Sequence, residues 1–139
     1  MTVTLPWARR ADHHCFGCAP GNPRGLALEF EEDGDRLRTE FTVDRHYESY
    51  PGVVHGGILA LICDETMGNL VVLRLGVAAL TTSMRTRYVG VVRIGTRYRC
   101  VAHAQFTEGL VRASAEVLDP DGALVGAATA NYHVTRSLG

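Results

Sequence analysis

Apolar and polar positions divide this chain into an unpatterned start, two short alternating stretches, one long apolar stretch and four long alternating stretches. In residues 1–25 apolar side chains follow no period, and Pro6, Gly17, Pro20, Gly21, Pro23 and Gly25 punctuate the segment. Trp7 and Phe16 within it need burial, so an ordered arm is expected rather than a loose tail. Leu26, Leu28 and Phe30 then alternate with small or polar partners, and Leu37, Thr39, Phe41 and Val43 alternate with Arg36, Arg38, Glu40 and Thr42. Asp33-Gly34 between these runs is a hairpin signal, which predicts two antiparallel strands. The apolar stretch that follows predicts a helix from Gly56 to about Leu75, stopped by Gly76. Gly68 inside it predicts a close approach by another element. Alternation returns in "ALTTSMRTRYVGV", "GTRYRCVAHAQFTE", "GLVRASAEVLD" and "GALVGAATANYHVT", joined by the turn sequences "VRIG", "EG" and "DPDG". These strands run well past the usual ~5–6 residues, so the sheet should curve strongly. The order β-β-α-β-β-β-β therefore predicts an α+β fold in which a curved antiparallel sheet wraps one long helix. No repeat or second domain is visible. The expected organisation is an arm over residues 1–25 and one domain over residues 26–139.

The helix holds the candidate chemistry. At about 100° per residue, Gly57, Ala60, Leu61, Asp64 and Gly68 fall on one face, and all of them but Leu61 are small or acidic. A narrow apolar slot beside Asp64 would suit a catalytic carboxylate. Glu65 points about 100° away and is expected to serve packing or solvent. At the helix start the first N–H groups have no internal acceptor and carry partial positive charge. Gly56 and Gly57 let a ligand oxygen approach those groups, which is the chemistry of an oxyanion hole. The loop lacks the Lys and Ser/Thr of a phosphate-binding pattern. Gly56 and Asp64 are eight residues apart, which on a helix is ~12 Å. One substrate carbon cannot meet both at the ~3–3.5 Å that attack requires. If both act on one bond, they come from two chains, and a symmetric dimer is expected. The competing account makes Asp64 and Glu65 the solvent face of an amphipathic helix, with Gly56-Gly57 as its opening turn.

Composition changes this picture little. The 139 residues suit one domain, and a net charge of −1 gives no pull toward nucleic acid or anionic membrane. The first residues have no signal-peptide pattern and no apolar run approaches a membrane span, so a cytoplasmic protein with reduced cysteines is expected.

The stretch "VVHGGILALICDETMG", followed by "LTTSMRTRYVGVVRIG", resembles the hotdog-fold thioesterase superfamily, in particular its PaaI-like group of phenylacetyl-CoA and 4-hydroxybenzoyl-CoA thioesterases. The resemblance covers nearly the whole chain in element order. It implies hydrolysis of an acyl-CoA thioester to free acid and coenzyme A. It implies Asp64 as nucleophile or general base, the Gly56 N–H, with Gly57, polarising the carbonyl, and His55 shaping the helix start. Thr81 or Thr82 matches a hydroxyl position that holds water or the acyl group. Many members place Asn or Gln before the His, where this chain offers Ser49. No cofactor is implied beyond the coenzyme A of the substrate, and the implied assembly is a homodimer, with a dimer of dimers (homotetramer) beyond it.

Arg85, Arg87, Arg93, Arg97 and Arg99 crowd the region around residues 85–99. Arg binds phosphates by paired hydrogen bonds, so Arg93 first, then Arg85 and Arg87, are expected at the nucleotide end of the coenzyme. Tyr88, with Tyr47 and Tyr50, could line an aromatic pocket or the core. "HHCFGCAPGNPRGL" carries Cys15 and Cys18, but no second CxxC accompanies them, so no metal is expected and the thiols are read as packed. This segment also resembles the N-terminal arm of a thioesterase subgroup. Two other readings remain at this point, a hotdog hydratase or dehydratase and a non-catalytic acyl-binding protein.

Overall fold

The computed structural model describes residues 2–8 and 10–136; the ends of the expected 1–25 arm and 26–139 domain, Met1 and residues 137–139, lie outside the described residues, as does Arg9. Its elements are β1 (Glu31–Asp33), β2 (Arg36–Thr42), α1 (Gly56–Leu75), β3 (Ala78–Tyr88), β4 (Arg97–Thr107), β5 (Leu110–Leu118) and β6 (Leu124–Thr135). A single 3-10 turn at Arg45–Tyr47, not foreseen from the sequence, leads into α1. All strand pairs are antiparallel and form one six-stranded sheet in the order β1-β2-β4-β5-β6-β3. The sheet curves around α1, which packs against β2 through β6. This is the predicted architecture.

The helix has the predicted limits because both ends are capped. His55 sits at the N-cap, and its Nδ1 accepts from the Gly57 N–H at 2.9 Å. Gly76 takes the left-handed conformation (φ 70°), and its N–H reaches the Val72 carbonyl. Leu59, Ile62, Met67, Leu70 and Val71 fill the concave side of the sheet together with Leu37, Cys100, Ala102 and Val117. The side bearing Gly57, Ala60, Leu61, Asp64 and Gly68 is the less buried one.

The first predicted strand is shorter than its pattern suggested. Leu28 and Phe30 are buried, as alternation requires. Yet Ala27 has φ 49°, which breaks the pleat. The N–H groups of Leu26 and Leu28 donate to the carbonyls of Phe16 and Gly17, and the Phe30 carbonyl accepts from Val3. Much of the 26–30 backbone thus turns to the arm, the Glu29 carbonyl accepts from Thr39 Oγ1 on β2, and only Glu31–Asp33 pairs with β2 as a strand. An apolar alternation records which side chains go inward, not which chain the backbone bonds to.

The opposite edge of the sheet, β3, has 11 residues and is paired only with β6. Its other side is open, and Leu80 and Tyr88, with Val89 and Val91 just beyond, are exposed apolar groups along it. A long unprotected edge of this kind is a template for pairing with another chain.

Among the described residues, no helix is long and apolar enough to cross a membrane.

Candidate active site

Asp64 lies two turns into α1 on its less buried side, where the helix meets the β3–β6 pair. Its Oδ1 accepts two hydrogen bonds, from Thr81 Oγ1 at 2.7 Å and from the Tyr132 hydroxyl at 2.8 Å. Thr81 and Tyr132 are direct partners across β3 and β6, so adjacent strands aim two hydroxyls at one carboxylate oxygen. The register of β3 slips between Thr81 and Ser83. This bulge turns Thr82 away, and its Oγ1 donates to the Asn131 carbonyl at 3.1 Å instead. Thr81 thus touches Asp64 and Thr82 does not.

Tyr132 had no place among the sequence-predicted residues. A signal for it existed in Gly68. A Cβ at Gly68 would stand 3.4 Å from the Tyr132 ring, ordinary contact, so this is where the tyrosine crosses the helix. Burial, then the neighbouring Asp64 charge, raises the Tyr132 hydroxyl pKa, so it stays a donor.

The helix start is organised by two side chains. His55 occupies the Gly57 N–H, so Gly57 is not a free donor for a ligand. The Gly56 N–H has no acceptor among the described residues. The Tyr88 hydroxyl donates to the Gly56 carbonyl at 2.7 Å and ties the end of β3 to this turn. Of the expected pair of amides, Gly56 alone remains available, and His55 is a cap that leaves its imidazole exposed. Gly56 and Asp64 stand on one straight helix, so the ~12 Å between them persists in the folded chain.

Ser49 is not brought to this site. Its N–H and Oγ both turn to the Val53 carbonyl, inside the loop that precedes α1. Arg85 and Arg87 project from the outer face of β3, on the side of Thr129 and Asn131 and opposite Asp64. Arg93 is exposed in the loop after β3, and its backbone N–H donates to the Tyr98 hydroxyl at 2.8 Å. None of these three has a carboxylate partner among the described residues, whereas Arg97 and Arg99 both turn to Glu40.

Asp64, Thr81, Gly68 and Tyr132 line one wall of a cavity of about 980 Å³. The arm supplies another wall, with Trp7, His13, Cys15 and Cys18. Glu65, expected at a packing or solvent position, faces the arm. Its Oε1 accepts from Cys15 Sγ at 3.1 Å and its Oε2 from Asn69 Nδ2 at 3.0 Å. Burial is the main cause that pushes this carboxyl up to about 8. Cys15, by contrast, is lowered, first by the Cys18 thiol that hydrogen-bonds to it, and Cys18 is raised correspondingly. All four cysteines are free thiols.

No protein-family model matches the chain, and no curated protein does. Solved structures do match. One thioesterase superfamily protein superposes with a TM-score of 0.78 at 20% identity, over 86% of this chain and 63% of that one. The present chain therefore spans less than two thirds of that protein. A second thioesterase superfamily protein is 28% identical, with a TM-score of 0.70, over 80% of this chain and 86% of that one. A hypothetical thioesterase from Streptococcus pneumoniae, solved with coenzyme A, is 23% identical with a TM-score of 0.71, over 81% of this chain and 88% of that one. The fold is the hotdog fold of the thioesterase superfamily.

Proposed function

We propose that this chain hydrolyses acyl-CoA thioesters, working as a symmetric dimer in which Asp64 of one subunit and the Gly56 N–H of the other act on one carbonyl. The observation that carries the reading is the Asp64 carboxylate, held by Thr81 and Tyr132 at a cavity wall, with no cation paired to it among the described residues. A carboxylate fixed by two hydroxyl donors is oriented yet keeps lone pairs for chemistry. The coenzyme A bound to the pneumococcal neighbour supports the substrate class.

The thioester carbonyl oxygen rests against the Gly56 N–H at the positive end of α1, where charge develops during attack. Asp64 then attacks the carbonyl carbon to give a mixed anhydride that water hydrolyses, or takes a proton from a water that attacks directly. In either case the C–S bond breaks and coenzyme A leaves as a thiolate, which needs little acid assistance. The exposed Arg85, Arg87 and Arg93 are available to the phosphates of the coenzyme.

The test is thiol release from a panel of short, medium, long and aromatic acyl-CoAs. Turnover of at least one is expected, and no turnover of any member would overturn the reading. On the best substrate, Tyr132→Phe removes one donor to Asp64 and is expected to lower kcat about tenfold with KM little changed, the scale of one charge-assisted hydrogen bond.

A further inference from the structure

Glu65 is a half-buried carboxyl that the hydrolysis does not use, and no Lys or Arg pairs with it among the described residues. Burying an unpaired carboxylate is costly. What faces it instead is the turn Cys15-Phe16-Gly17-Cys18. Cys15 Sγ, Cys18 Sγ and a Glu65 carboxylate oxygen all lie within 4.8 Å of one another. His13 Nε2 stands 3.9 Å from Cys18 Sγ on the same side of the cavity. The approach is close by design of the sequence. A Cβ at Gly17 would lie 2.2 Å from Glu65 Cγ, so only glycine lets the turn reach the acid.

We propose that Cys15, Cys18 and Glu65, with His13 as the fourth ligand, bind one zinc ion that fastens the N-terminal arm to α1 beside Asp64. The donor set is two thiolates, an imidazole and a carboxylate, which zinc takes in tetrahedral geometry. Zinc–sulfur bonds of ~2.3 Å separate two tetrahedral thiolates by ~3.8 Å. The 3.1 Å contact of Cys15 with Glu65 and the 3.9 Å contact of His13 with Cys18 are near such an edge already. The ion takes the place of the protons that these groups share, and it supplies the positive charge that Glu65 otherwise lacks. Asn69 holds the second Glu65 oxygen and so fixes the carboxylate plane. With four protein ligands the coordination is closed, so the ion is structural and takes no part in the hydrolysis. It acts on the site by holding one cavity wall in place.

The full chain, purified without chelators or immobilised metal, is expected to carry about one zinc per chain by elemental analysis. Chelated under reducing conditions, it should take up one Co²⁺ and show a thiolate-to-cobalt charge-transfer band with the strong visible bands of a tetrahedral site. Cys15→Ser and Glu65→Gln should each weaken Co²⁺ binding at least about tenfold, while Cys100→Ala, outside the cluster, keeps it. These readouts are independent of any hydrolysis. A parent chain that takes up neither Co²⁺ nor Zn²⁺ while all its thiols titrate overturns the proposal. So does one in which Cys15 and Cys18 are joined in a disulfide, revealed by only two reactive thiols after denaturation without reductant.

Discussion

Asp64→Asn is expected to cut kcat for thiol release by roughly 10²–10⁴-fold, the span associated with losing a general base or an activated nucleophile. The substitution is chosen to isolate charge from structure. Asparagine has the same shape, and its carbonyl oxygen can still accept from Thr81 Oγ1 and the Tyr132 hydroxyl, which both meet Oδ1 in the parent. Thermal unfolding should therefore shift little, and KM should stay within a few-fold. Asp64→Ala would confuse the two effects, because it removes the carboxylate acceptor of the buried Tyr132 hydroxyl and leaves only the longer 3.3 Å bond to the Asp64 carbonyl. A variant Asp64→Asn that turns over within about threefold of the parent, under half of one RT-scaled decade, would remove Asp64 from the chemistry. The helix would then carry its acid as the solvent-facing group that the competing reading of the sequence allowed.

The elements most legible in the sequence were those whose backbone signals are local. The helix from Gly56 to Leu75 was marked by a glycine just past its end, and that glycine does adopt the left-handed cap. The four long strands were marked by alternation between turn sequences, and Gly109 and Gly122 supply the positive φ that two of those turns need. What escaped depended on partners far away in the chain. Residues 26–30 alternate like a strand, but the N–H groups of Leu26 and Leu28 and the Phe30 carbonyl bond to the arm, and no local pattern carries that information. Tyr132 is 68 residues from Asp64, and only the close approach expected at Gly68 hinted at it. The same holds for the Cys15–Cys18 turn. The pair lacked a second CxxC, so its lone motif argued for packed thiols. What the fold alone brings beside it is Glu65 on the helix, within 4.8 Å of both sulfurs, with His13 3.9 Å from Cys18. Thr81 and Thr82 show a further limit. Sequence offered both hydroxyls, and a one-residue bulge decides which faces Asp64.

Mixing two inactive variants is expected to restore about a quarter of parental activity, if each site is shared between subunits of a symmetric dimer. One variant is Asp64→Asn. The other is Gly56→Pro, which deletes the single N–H proposed to polarise the carbonyl. Gly56 is the first helical residue, where proline is tolerated because its missing N–H had no helical acceptor. His55 before it has φ −57° and ψ 132°, the extended geometry that a residue preceding proline requires. An added Cβ would meet Tyr88 only at ordinary contact, 3.4 Å. Gly56→Pro should thus fold and keep the His55 cap, yet lose roughly 10²–10³-fold in kcat, the cost of one oxyanion donor. Gly56→Ala, which retains the N–H, should stay far more active. In a co-expressed mixture, about half of the dimers are mixed, and each mixed dimer has one site with both defects and one with neither. Recovery to about a quarter follows only if Asp64 and Gly56 of one site belong to different chains. If one chain supplied both, every site in the mixture would carry a defect and no activity would return. The open edge of β3 makes the shared arrangement physically reasonable. It lies between the exposed Thr81 at Asp64 and Tyr88 at the helix start. Pairing that edge with its copy would therefore bring one subunit's helix start toward the other's acid.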